Sequence, residues 1–429
     1  MEPGGKIVLV NATPYKWILE STVVDGMDMA STWNFRDSAS VVEPYTCNSV
    51  KLVSHVGHGE AKYSVGETGS QFTIVASGPV LQARMDSIET KNAPRGSSVP
   101  LGFISDRPSY FVLSGTEGSY HSVGDVANWM QKSLCTIGNR KLSEICVPFS
   151  HNAGMSKVEW STSFAADGCL LTQYVSVEQQ LHLGNKFFNF GPLGTWQGGN
   201  GEFIQDVIDG VNRFTAASGE LIVLSIGHTY AINDVMGSFE EGDFRGLEKH
   251  HWNSLLDMFT NPQTGIKALW KPAAQESLIT DLTSLPLNTY IGSGSSAVML
   301  VVDDAVDVAG RAGVFNYTCW SWEASAWWKE ESGRMDEYRE YMARGVQNSR
   351  PYIFSGCHMQ SDAEAVLTTI GQSSQSVLSL APPAKHRLFM ELFPLCCQAK
   401  RYPAALSMDG IDSSDLAALC MAFNDHRNV

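Results

Sequence analysis

The feature that most constrains this chain is a change of pattern near residue 120. From Lys6 to about Gly115 it runs in short apolar or alternating segments, KIVLVNA, SVKLVSHV, QFTIVAS, VLQARM and YFVLS, punctuated by Gly, Asn, Asp, Ser and Pro. Period-two alternation with frequent turn residues marks strands with one buried face, and no 3.6-residue period is sustained there. Residues 1–118 are therefore expected to form an all-β sandwich. After the Gly- and Ser-rich joint GTEGSYHSVG, helical stretches alternate with near-continuous apolar runs: DVANWMQKSL, EICVPFSH, VEQQLHLG, KFFNFG, FIQDVIDGVNRFTAA and ELIVLSIGH. Strands apolar on both faces belong in parallel sheets covered by helices. The expected architecture is thus multidomain, β then α/β, with residues 123–429 forming a (β/α)8 TIM barrel.

Composition narrows the function. A chain of 429 residues, 43% hydrophobic and 17% charged, can bury a large core in each of two domains. A formal charge of −15, with no run of Lys and Arg to reverse it locally, argues against nucleic acid as a partner. The opening MEPGGKIVLVNATPYKW lacks a basic segment followed by a continuous apolar one, and no stretch of ~18 apolar residues follows, so neither a signal peptide nor a transmembrane helix is expected. Nine cysteines, an odd number without CxxC spacing, fit reduced thiols in a cytoplasmic protein, each a small buried hydrophobe.

In parallel α/β sheets, chemistry gathers at the carboxyl ends of strands. The residues just after the apolar runs are Ser150, His151 and Asn152 after ICVPF; Asn189 and Gly191 in KFFNFG; His228 after LIVLSIG; Asp303 and Asp304 after VMLVV; His358 after YIFSGC; and Asp409 after AALSM. Any one histidine is more often a satisfied core or surface residue than a catalyst, but several polar groups converging on one face form a site.

The stretches NWMQKSL…LSEICVPFSHNAGMS, TWQGGNGEFIQDVIDGVNRFTAASGELIVLSIGH and YPAALSMDGIDSSDLAALCMAFND occur in order across the second domain. They resemble fungal phosphatidylinositol-specific phospholipase C-like phosphodiesterases, whose segments read NWM…L…LxLPGSHDAGMS, SWQGxNGQxxxDxIxxVNxF…ELVxLxxSH and YPN…VDxI…D. The β-rich first domain lies outside the resemblance. What the resemblance implies is a TIM barrel and two histidines, one removing the proton from the inositol 2-hydroxyl and one protonating the leaving alkoxide. His151 stands at the first histidine's position, and Asp409 resembles the carboxylate that orients it.

Against that family the active site is degenerate. Where relatives read GxRxFDxR this chain reads GNKFFNFG, with Lys186 for the first Arg, Asn189 for the Asp and Gly191 for the second Arg. The next loop, which should carry the second histidine, is shortened to GPLGTW. His228 and the Asp303–Asp304 pair stand where bacterial relatives place a Lys and an Arg. A carboxylate facing a phosphate costs on the order of several kcal/mol at intermediate dielectric. Calcium-dependent relatives use an Asn after the first histidine, but Asn152 lacks acidic companions on the second strand, and neither a metal nor another cofactor is expected. TCWSWEASAWWKEE sets Trp320, Trp322, Trp327 and Trp328 where the family has a Ser-, Asn- and Asp-rich loop. Either the rings pack on the barrel exterior or they form an apolar lid. A lid suits a hydrophobic or aromatic small molecule, with Asp303 or Asp304 beneath to hold a cationic nitrogen.

Three functions follow. The first is an enzyme of fungal secondary metabolism repurposed for acid–base chemistry, a cyclisation, elimination or isomerisation, on a non-phosphate small molecule. Its catalytic groups would be His151, Asp409 and His228, with Asn152, Lys186, Asn189, Asp303, Asp304 and the clustered tryptophans around the substrate. The second is a phosphoric diester hydrolase or lyase with His228 as general acid and Lys186 as the phosphate's cation. The third is a non-catalytic binding protein, against which an oriented His151 weighs.

Overall fold

In a computed structural model of the chain, the described residues are 4–25, 33–53, 57–102, 107–161, 167–190, 199–227, 230–232, 244–273, 280–308, 310–320, 322–324, 331–344, 350–356 and 376–428. Two units result: Met1–Val126 with Pro382–Tyr402 and Ser413–Val429, and Ala127–Ala381 with Pro403–Asp412.

In the first unit the alternating segments become strands, as their period requires. Every second residue of His58–Val65 is buried. Gly4–Ala12 pairs in parallel with Pro108–Ser114 and antiparallel with Thr46–Val53, and His121–Ser122 extends that sheet. A separate antiparallel sheet runs Val41–Val42, Trp17–Asp25, His58–Val65, Ser70–Ser77, Val80–Arg84 and Ser98–Pro100. Trp17 and Phe72 of this sheet, with ring centroids 5.0 Å apart, meet Phe111 of the other at 6.0 and 4.8 Å. Helices from the end of the chain, Phe393–Ala399 and Asp415–His426, complete the unit. Asp425 Oδ2 accepts from Ser114 Oγ at 2.6 Å and lies 2.9 Å from His121 Nδ1.

The second unit is built on eight parallel strands in the order Val314–Asn316, Ala297–Val302, Leu221–Ile226, Phe187–Phe190, Val147–Ser150, Ala405–Met408, Tyr352–Ser355 and Glu323–Ala324. Near-continuous apolar runs form such strands because both faces are covered, and Ala297–Val302 is buried at all six positions. One face packs on helices. Phe188, Leu224 and Leu300 lie level in the register and share a core with Val207, Val211, Phe214, Leu256 and Phe259. The helix Ile204–Ala217 points Val207, Ile208, Val211 and Phe214 at the sheet, one stripe of a 3.6-residue period. The helix Val177–His182 starts where Ser176 and Gln179 cap each other's backbone N–H.

The expected β-sandwich followed by a closed (β/α)8 barrel is corrected here. Among the described residues the edges Val314–Asn316 and Glu323–Ala324 do not pair, so the second unit holds an open, curled parallel sheet, accompanied by separate antiparallel ribbons. Closure would need a ladder between strands of only three and two residues. The chain joining them instead turns through a 3-10 segment, Tyr317–Cys319, whose backbone leaves the ladder. Nor does every strand lead into a helix, for residues 303–313 contain none among those described. In place of an all-β sandwich, the first unit combines a mixed sheet, an antiparallel sheet and helices from the end of the chain.

Among the described residues no helix is long and apolar enough to cross a membrane. Cys146, Cys396, Cys397 and Cys420 are buried, while Cys135 is exposed.

Candidate active site

Val147–Ser150 is flanked by Phe187–Phe190 and Ala405–Met408, with Ser150 opposite Met408. The next residue of each strand, His151 and Asp409, therefore leaves the sheet side by side. Their Nδ1 and Oδ1 atoms are 2.7 Å apart, and the residues are only 3% and 2% exposed. A carboxylate accepting the Nδ1 proton fixes the imidazole's tautomer, makes Nε2 the proton acceptor and stabilises the imidazolium that follows.

The backbone around this pair is pinned. Gln173 donates through Nε2 to the carbonyls of His151 and Met408 at 2.7 and 3.2 Å, and its Oε1 accepts from Ile411 N at 3.0 Å. One buried amide thus ties both strand ends together. Thr172 Oγ1 donates to Asn152 O at 2.9 Å, and Thr172 O accepts from Gly410 N at 2.7 Å. Asn152 turns the chain at φ +42°, a left-handed conformation that Asn adopts more readily than most residues. Ser150 faces away from the pair and donates to Gln180 on the helix Val177–His182.

The register decides what shares a face with His151. Phe149 is level with Phe187 and, in turn, Val223 and Met299; one step on, Asn189 is level with Ser225 and Val301. Because alternate residues point to opposite faces and Phe188, Leu224 and Leu300 face the helices, this set lines the other face. Val301 is level with Phe315, which extends the same face to Asp303 and Tyr317. Ser225 Oγ and Tyr317 OH are 2.6 Å apart. A Cβ added to Gly227 would stand 3.0 Å from Tyr317 OH and 3.4 Å from Asp303 Oδ1, so both groups border one point beside that glycine.

Below this polar tier lies an aromatic floor. Phe187 is stacked on Trp322 at 5.3 Å and meets Trp320 edge-on at 5.7 Å, with Phe149 edge-on at 6.4 Å on its other side. Trp320 and Trp322 thus pack on the sheet's inner face. The Trp322 Nε1–H is buried without a hydrogen-bond partner among the described residues.

The other sequence candidates fall elsewhere. Lys186 precedes Phe187 at the amino end of its strand, opposite to His151, and its parity turns it to the helix face. There its Nζ lies 3.7 Å from Glu220 Oε2, donates to the carbonyls of Ala127 and Leu181 at 2.8 and 3.2 Å, and sits 4.7 Å from the Phe214 ring centroid. Glu220 also accepts from Met130 N and Gln131 N at the start of the helix Trp129–Ile137. Burial holds the Glu220 carboxyl above the usual carboxylate range, against the opposing pull of Lys186. Asp304 is exposed and accepts from Thr318 N at 2.7 Å, tying down its loop. His228, Trp327 and Trp328 lie outside the described residues. Among those described, no group of three or more His, Cys, Asp and Glu is arranged to hold a metal.

Sequence reasoning missed Gln173, Ser225, Tyr317 and Arg334. Tyr317 follows an edge strand of three residues, too short to register as an apolar run. Ser225 was there to be found by period-two alternation along ELIVLSIGH, which sets it on the face opposite to Ile222, Leu224 and Ile226. Arg334, on the helix Glu331–Ala343, is fully buried and donates through Nη1 to Ser355 O at the carboxyl end of Tyr352–Ser355.

No protein-family model matches the chain, and no curated protein matches it. Its structural neighbours are bacterial phosphatidylinositol-specific phospholipases C. The enzyme from Listeria monocytogenes is similar over 70% of this chain and 98% of its own, at 11% identity and a TM-score of 0.43. A pentafluoro-Phe form of the Staphylococcus aureus enzyme is similar over 70% of this chain and 97% of its own, at 13% identity and a TM-score of 0.41.

Proposed function

We propose that this chain is an enzyme of acid–base chemistry, a cyclisation, elimination or isomerisation, acting on a non-phosphate small molecule, with His151 as the base and Asp409 as the carboxylate that orients it. The observation that carries this is the buried 2.7 Å hydrogen bond between His151 and Asp409, clamped by Gln173 at the carboxyl ends of adjacent parallel strands. A buried, oriented imidazole is expensive to maintain in a scaffold without proton transfer to perform.

Two further features set the ligand class. Phe187 stacked on Trp322, with Phe149 and Trp320 edge-on to it, makes an apolar aromatic cluster in which the two tryptophans are the half-buried members. Asp303 stands at its polar edge, while Lys186 is engaged at the opposite end of the sheet. Negative charge beside aromatic faces suits a cationic nitrogen on an apolar or aromatic body, and opposes a phosphodiester.

The test is calorimetric. Benzyltrimethylammonium should bind, benzylphosphonate should not, and Asp303→Asn should weaken the cation by about tenfold, the value of one partly screened charge contact. Preference for the phosphonate would overturn the proposal. So would release of inositol phosphate from phosphatidylinositol vesicles at a rate within ~10³ of that of the Listeria monocytogenes enzyme, a gap on the order of what losing a general acid removes.

A further inference from the structure

The pair formed by Ser225 and Tyr317 belongs to no step described so far. We infer that Tyr317, positioned by Ser225, is the proton donor facing His151, and that the substrate is a cationic ketone whose carbonyl oxygen meets Tyr317 while its nitrogen meets Asp303.

Geometry carries the assignment. Continuing the pairing of Ser150 with Phe188 by one residue sets His151 beside Asn189, and Asn189 is paired with Ser225. Two strand spacings, ~10 Å, then separate the backbone of His151 from that of Ser225. A small molecule bridging that distance would lie over Asn189, the residue between them in the register. Tyr317 OH reaches the far side of this span through its 2.6 Å contact with Ser225 Oγ. Gly227 leaves the space that lets the phenol approach, since a Cβ there would crowd Tyr317 OH at 3.0 Å. Burial pushes the Tyr317 phenol above its usual range, the Ser225 hydrogen bond pulls it down, and Asp303 and Asp304 push it up again. A phenol so placed keeps its proton and acts as a donor.

A base on one side and a neutral hydroxyl donor on the other is the arrangement needed to remove a proton from the carbon next to a carbonyl. His151 Nε2 takes that proton, the C–H pair becomes the enol C=C bond, and the carbonyl π pair moves to oxygen, which takes the Tyr317 proton. Return of both protons, to the same carbon or to the far end of a conjugated system, completes an exchange or an isomerisation with no oxidant required. Asp303 alone would oppose negative charge growing beside it. A cationic nitrogen on the substrate cancels that opposition, which is why both features are assigned to one molecule.

The inference rests on His151 being the base, and the experiment separates the two. Phenacyltrimethylammonium carries an aromatic ring, a ketone, acidic methylene protons and a fixed cation. Its methylene exchange in D2O is followed by proton NMR. The wild-type protein should accelerate exchange over buffer, His151→Ala should return it to the buffer rate, and Tyr317→Phe should lower it ~10²-fold, as loss of one donor to a developing oxyanion does. Ser225→Ala and Gly227→Ala, which displace the hydroxyl and keep the phenol, should give smaller losses, with unfolding curves checked for each variant. Full exchange in Tyr317→Phe, with none in His151→Ala, would overturn the role of Tyr317 and leave the base in place. Full exchange in His151→Ala would overturn the base itself. No acceleration by the wild-type protein would overturn the cationic ketone, and the phosphonate-versus-cation preference would then decide the broader proposal.

Discussion

Replacing Lys186 by Met should cost stability and leave ligand binding alone. Nζ and Glu220 Oε2 lie 3.7 Å apart and both side chains are 0% exposed. At an effective dielectric near 20 the attraction is about 4–5 kcal/mol, and desolvation of both ions offsets much of it. Methionine fills the same stem volume but strands Glu220 without its cation and takes the donor from the carbonyls of Ala127 and Leu181. Breaking a buried pair on one side costs ~3–5 kcal/mol, which for a unit of this size lowers Tm by about 10 °C. The assay is calorimetric unfolding across pH. Burial already holds Glu220 above the usual carboxylate range, and loss of Lys186 raises it further. A raised folded-state pKa gives stability that is present below the unfolded value of ~4.3 and lost as pH rises through the folded value. The deficit should therefore be largest at about pH 7–8 and shrink toward about pH 5. The double change Lys186→Met with Glu220→Gln should recover part of the loss. Unchanged stability together with lost binding of benzyltrimethylammonium would refute the reasoning and return Lys186 to the site.

His151→Ala should lower phenacyltrimethylammonium exchange by ~10²–10⁴ and, since it takes the imidazole from the buried Asp409 carboxylate, should also cost ~1–3 kcal/mol in unfolding, while Asp409→Asn should fall between it and wild type in exchange, because it disturbs the imidazole's orientation and basicity without removing the ring. Gln173→Leu takes the acceptor from Ile411 N and a donor from the His151 carbonyl, while Met408 O keeps the His151 N–H, so denaturant unfolding should show a loss of ~1–3 kcal/mol; a neutral effect would show that the clamp holds nothing. Phe187→Ala removes the ring on which Trp320 and Trp322 rest, and should cost ~3–5 kcal/mol while weakening benzyltrimethylammonium in the calorimeter.

Much of this protein is local and was legible as such. Period-two alternation in KIVLVNA and QFTIVAS, continuous apolar runs in ELIVLSIG and AVMLVV, and the 3.6-residue stripe of FIQDVIDGVNRF state which face of each element is buried and where it stops. That fixed the strand ends, and with them the placement of His151, Asn189, Asp303 and Asp409 just beyond apolar runs. Parity along NKFFNF also assigns Lys186 to the helix side, opposite to Asn189, a signal present in the sequence that the family pattern obscured. Partners distant in the chain are another matter. His151 and Asp409 are 258 residues apart, and their 2.7 Å contact exists because two strands pair in one register. Whether the parallel sheet closes depends on a ladder between short edge strands, and a two-residue strand such as Glu323–Ala324 leaves no pattern to read. Tyr317 reaches Ser225 across 92 positions, and Glu220 takes Lys186 while accepting from the backbone of a helix some 90 residues earlier. Nearest-neighbour sterics and burial write the elements into the sequence, whereas the destination of a long side chain is set by what other parts of the chain bring to it, and that only the packed structure decides.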